Sequence, residues 1–98
     1  MAVVIQVRWA GMSLEQYDAA RKVLNWENNP MVGGIYHVAW HQDGAMHVCD
    51  VWESAELFNQ YVEKRLIPGV QQVGGIEGQP EVVIHPAHAT FATGYRAK

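Results

Sequence analysis

The sequence predicts an α+β domain of ferredoxin-like order, βαββαβ, with a single antiparallel sheet. Three observations carry this. Two apolar runs meet at Asp43-Gly44, two stretches of helical apolar spacing each begin at a serine, and β-branched runs occupy residues 2–9 and 81–86. Ninety-eight residues, 49% hydrophobic and 17% charged, fit one folded domain over 1–98 and leave no room for a second.

Strand one is read over residues 2–9, AVVIQVRW, whose β-branched and aromatic side chains suit a pleated, half-buried surface. Ser13 then caps helix one, with Gln16 as its reciprocal partner. Leu14, Tyr17, Ala20, Val23 and Leu24 recur at helical spacing to about Trp26, where ENNPMVGG forms a loop. Residues 34–42 and 45–52 flank Asp43-Gly44, a dipeptide whose tolerance for positive φ suits a two-residue type I′ hairpin. Ser54 caps helix two, and Leu57, Phe58, Tyr61, Val62, Arg65 and Leu66 form its sheet-facing stripe. Pro68-Gly69 is expected to break this helix, with VQQVGG adding a further turn. After GGIEGQP, residues 81–86, EVVIHP, read as the last strand, before a tail that ends in FATGYRAK.

A two-residue turn fixes the hairpin register. It pairs His41 with Met46, Ala39 with Val48, His37 with Asp50 and Ile35 with Trp52 on one face; Tyr36, Val38 and Trp40 oppose Val51, Cys49 and His47 on the other. The second set is more uniformly bulky and is expected under the helices. His37 and Asp50 then meet on the open face, with Cβ atoms about 5 Å apart. Because the strands are apolar on both faces while helices cover one, a second copy of the sheet is expected to cover the other, giving a two-fold homodimer with a barrel-like interior.

A carboxylate that holds one imidazole nitrogen raises the basicity of the other, so His37 with Asp50 is the candidate catalytic base. Gln6 and Arg8 of strand one and His85 of the last strand are expected to face the same pocket as substrate-binding groups. A metal site is not expected: His37 and His41, on one strand face, stand about 13 Å apart at 3.3 Å per residue, too far to share an ion. The formal charge of −3, without a Lys or Arg cluster, speaks against nucleic acid. No apolar run approaches the roughly 20 residues of a membrane span. Cys49 is the only cysteine and the start MAVVIQVRWAGM lacks a signal-peptide pattern, so a cytoplasmic location is expected.

The stretch VCDVWESAELFNQYVEKRLIP, a strand ending in an acidic residue and Trp before a Ser-capped helix, together with the element order over roughly residues 2–87, resembles the antibiotic biosynthesis monooxygenase-like family of the dimeric α/β barrel group. The resemblance implies homodimers whose sheets face each other and a pocket on the face opposite the helices. The family includes cofactor-independent oxygenases of polycyclic phenols and quinones, and haem-degrading enzymes. Trp52 matches the pocket tryptophan of the haem-degrading branch, which implies that it binds substrate. That branch's helix histidine has no counterpart in AELFNQYVEKRL, and strand one carries Gln6 and Arg8 where Asn would be expected. The expected function is cofactor-independent oxygenation of a small aromatic or polyketide-like substrate, with no cofactor. A non-catalytic dimer that binds a small hydrophobic ligand, or serves in stress or metabolism, stays open, as does an isomerase using the same base without oxygen.

Overall fold

The structure, a computed structural model, describes residues 1–92; the end of the FATGYRAK tail, residues 93–98, lies outside them. Its elements are β1 (Val3–Trp9), α1 (Leu14–Leu24), β2 (Gly34–Gln42), β3 (Ala45–Trp52), α2 (Ala55–Tyr61), a π-helical turn (Val62–Leu66), α3 (Ile67–Val73) and β4 (Glu81–Pro86). The four strands form one antiparallel sheet in the order β2-β3-β1-β4. This is the expected βαββαβ, ferredoxin-like arrangement.

Local chemistry explains the boundaries. Ser13 and Gln16 make both bonds of a capping box: Ser13 Oγ accepts from the Gln16 N–H at 3.1 Å, and Gln16 Oε1 from the Ser13 N–H at 2.9 Å. At the other end Asn25 takes a left-handed conformation, so α1 stops two residues before Trp26. Asp43 and Gly44 adopt φ of 52° and 74°, as a type I′ turn requires. Pro68 does not break the second helix. The π turn has already shifted the ladder, with the Ile67 N–H donating to Val62 O, and Pro68 falls in the first turn of α3 where no N–H is needed.

The hairpin pairs His37 with Asp50 as expected, but Gly34 rather than Ile35 opposes Trp52, because Ile35 sits in a bulge between Gly34 and Tyr36. The larger correction concerns faces. Pairing of β1 with β3 sets Ile5 opposite Asp50 and Gln6 opposite Cys49. Val3, Ile5 and Val7 therefore share a face with His37, Asp50 and Trp52, and the helices cover that face: Ile5 and Trp52 are fully buried in the core with Phe58 and Tyr61. The bulkier set, including Trp40 and Cys49, lies on the open face. Bulk misleads here, because the set that carries His37 and Asp50 is the one that the β1 register places with Ile5 under the helices. Arg8 and Glu81 form a 3.8 Å ion pair that keeps its contact with water only from the open side.

Gly11 is a tight point in this packing. A Cβ there would sit 1.8 Å from the carbonyl oxygen of Glu77, which also accepts a bond from Trp9 Nε1–H at 2.9 Å. Backbone cannot yield as a side-chain tip does, so Gly11→Ala should cost about 1–3 kcal/mol of stability, read as a lowered urea midpoint with unchanged slope.

Candidate active site

Between the helices and the sheet lies a cavity of about 270 Å³. Val7, Met46 and Val48 line its sheet side, while Leu24, Phe58 and Leu66 line its helix side. The pocket is thus under the helices and not on the open face. A more open groove of about 430 Å³ on the open face, beside Val4, Val51 and Phe91, is bordered by none of the expected site residues.

A chain of hydrogen bonds reaches the cavity wall. His37 and Asp50 are adjacent cross-strand partners of β2 and β3, and His37 Nδ1 lies 2.6 Å from Asp50 Oδ1. A carboxylate only accepts, so Nδ1 carries the proton and donates it. Trp52 Nε1–H donates to the other oxygen, Oδ2, at 3.1 Å, which leaves a carboxylate that is only 6% exposed with a donor on each oxygen. On the far side of the imidazole, the Tyr17 hydroxyl from α1 meets Nε2 at 2.6 Å. The two rings are parallel within 2° with centroids 6.1 Å apart, a spacing set by the O–H···N bond.

Neighbouring groups hold this chain in place. The indole of Trp26 stands edge-on to the imidazole, centroids 4.7 Å apart, and its Nε1–H donates to the Tyr61 hydroxyl at 2.8 Å. Trp26 sits in the loop after α1, which Arg65 of the π turn fastens through donations to the carbonyls of Leu24 (2.8 Å), Asn29 (2.6 Å) and Pro30 (3.0 Å). A π turn commonly marks a functional site, and here it carries the one guanidinium that donates to these three carbonyls.

Of the residues singled out from sequence, His37, Asp50 and Trp52 come together. His37 and Asp50 line the cavity, whereas Trp52 is fully buried behind Asp50 and is not part of the wall. Gln6, Arg8 and His85 do not join them. Gln6 and Arg8 alternate to the open face, and His85 pairs with Val4 on that same face. Tyr17, Trp26 and Arg65 escaped sequence reasoning as site residues. Tyr17 reads as one more apolar position of the helix-one stripe; its hydroxyl, the single polar tip in that stripe, was the available signal.

Neither a family model nor a curated protein sequence matches the chain. Solved structures do. A protein from Chloroflexus aurantiacus named for antibiotic biosynthesis monooxygenases superposes with a TM-score of 0.68 at 14% identity, covering 96% of this chain and 100% of that one. The fold is that of the antibiotic biosynthesis monooxygenase-like proteins. SnoaB of Streptomyces nogalater, a cofactor-independent oxygenase, shares the monooxygenase-like fold with a TM-score of 0.65 at 14% identity, over 91% of this chain and 95% of its own. ActVA-Orf6 of Streptomyces coelicolor, a monooxygenase solved with Nanaomycin D, shares it at 0.60 and 16%, over 94% and 93%.

Burial pushes the Tyr17 hydroxyl up from 10.0 to about 12, against the pull of Arg21, and burial also raises Tyr61. Both phenols hold their protons more tightly folded than unfolded. Their contribution to stability is full below pH 10, the unfolded value, and is lost as pH rises through the folded values, about 12 for Tyr17. Unfolding free energy should therefore fall across that window, by no more than about 2 kcal/mol for Tyr17 after allowing for its partial exposure. Urea midpoints on either side of the window check this, and Tyr17→Phe should flatten the Tyr17 share of the slope.

Proposed function

We propose that this chain is a cofactor-independent monooxygenase for a small aromatic or polyketide-like substrate bound in the cavity under the helices. The observation that carries the reading is an imidazole oriented by a buried carboxylate in the wall of a mostly apolar cavity. SnoaB, of the same fold, is a cofactor-independent oxygenase, which supports it. A volume of about 270 Å³ is just below the 300–1,000 Å³ common for ligand pockets and favours a compact substrate.

An anthrone-type substrate illustrates the chemistry. Its CH₂ loses one proton to the base, and the electron pair delocalises into the rings as a phenolate-like anion. Oxygen adds to that carbon, giving a peroxide that takes up a proton. Loss of the second C–H proton then breaks the O–O bond, leaving a carbonyl and releasing water. One oxygen atom stays in the product, the other leaves as water, and all four electrons come from the substrate carbon.

Pure protein mixed with 1,8-dihydroxyanthrone and other anthrones and hydroquinones, without added cofactor, should consume oxygen in proportion to protein. Uptake no faster than buffer across the panel would refute oxygenase activity. Proton exchange or isomerisation without uptake would instead favour an isomerase.

The same proposal includes a homodimer. Val38, Trp40 and Val83 on the open face are 41–47% exposed in the single chain, an apolar patch that a second copy of the sheet would cover. Sedimentation at micromolar concentration is expected to give twice the 11.0 kDa chain mass; a monomer there would remove the dimer. A cytoplasmic setting is part of this reading, on the ground that the lone Cys49 is unpaired. No helix among the described residues is long and apolar enough to cross a membrane.

A further inference from the structure

We propose that Tyr17, and not His37, is the group that meets the substrate's acidic proton, with His37 and Asp50 acting behind it. This rests on the reading of the cavity as a base-assisted site. The argument is one of occupied lone pairs. Asp50 can only accept, so the proton of a neutral His37 stands on Nδ1 and its one lone pair on Nε2. That lone pair already takes the Tyr17 hydroxyl at 2.6 Å.

Sterics point the same way. The Trp26 ring, 4.7 Å from the imidazole centroid, covers one approach to His37, whose side chain is only 17% exposed. Tyr17 itself lines the cavity. A phenol oxygen keeps acceptor capacity while it donates, so Tyr17 can receive one proton as it passes its own along.

The step balances. The substrate O–H or C–H bond breaks and its proton forms a new O–H bond at Tyr17, while the former Tyr17 proton bonds to His37 Nε2. The products are a substrate anion and an imidazolium held by Asp50, with Tyr17 neutral before and after. Burial disfavours a free tyrosinate, so the two protons move together.

Two measurements test this, neither of which needs oxygenase turnover. Nitrogen-resolved NMR of the wild-type protein should find neutral His37 with its proton on Nδ1 and a hydrogen-bonded Nε2; a proton on Nε2 would overturn the proposal without any variant. The second uses 4-nitrophenol, whose coloured anion reports its own ionisation when bound. Bound probe should be ionised at least tenfold less in Tyr17→Phe than in wild type, with the variant's fold checked by circular dichroism. Equal ionisation in both, or no uptake of the probe by wild type, would overturn it. Equal ionisation with oxygen consumption intact removes the relay and leaves the oxygenase reading, whereas Tyr17-dependent ionisation with no oxygen consumption does the reverse.

Discussion

Replacing Asp50 by Asn is expected to slow oxygen uptake on an anthrone by about a hundredfold or more while the protein stays folded. The side chains have nearly the same shape, so the effect comes from donors and acceptors. Asp50 offers two acceptor oxygens, one to His37 Nδ1–H and one to the buried Trp52 Nε1–H. An amide offers one acceptor and one donor group. If its oxygen takes Trp52, its NH₂ faces His37 and forces the imidazole proton to Nε2, towards Tyr17, which reverses the direction of the chain. If it takes His37, the indole N–H loses its partner in the core, at a cost of about 1–3 kcal/mol. Nitrogen NMR of His37 distinguishes the two arrangements. Wild-type uptake in a variant whose His37 proton has moved would sink the assignment of this chain to the chemistry.

Trp52→Ala should be the most damaging single change to stability, by about 3–5 kcal/mol. The indole is fully buried and packs edge-on against Phe58 and at a tilt against Tyr61, with centroids 5.4 and 5.3 Å away. Domains of this size are commonly stable by only 5–15 kcal/mol, so much of the folded population is at stake. Trp52→Phe keeps a six-membered ring in the core but removes the donor to Asp50 and some buried volume, and should cost less than Trp52→Ala, about 1–3 kcal/mol. Urea unfolding followed by circular dichroism measures both. Equal losses for the two variants would mean that the ring retained in Trp52→Phe contributes nothing to the effect.

The comparison with sequence turns on what fixes a register. Asp43-Gly44 pins β2 to β3, so the meeting of His37 with Asp50 was legible from the turn alone. No turn joins β1 to either of its neighbours. Whether Ile5 or Gln6 stands opposite Asp50 is a one-residue question, and a one-residue slip moves every side chain to the other face. For that reason the sequence alone allows Gln6, Arg8 and His85 to be grouped with His37, although the sheet backbone separates them. The capped helices were readable because Ser13 and Ser54 act within a few residues of themselves. Tyr17 and Arg65 were not, because their roles depend on loops and strands far along the chain.

The division of labour between the two sides of the sheet has a practical consequence. The hydrogen-bonded chain of Tyr17, His37 and Asp50 lies on one side and the exposed Val38, Trp40 and Val83 on the other, with a single thickness of backbone between them. Mutations that tune self-association, such as charges at Val38 or Val83, should leave ligand saturation hyperbolic and its half-point unmoved. Each cavity would then fill independently of its neighbour, and changes on one side of the sheet would leave the other side's behaviour untouched.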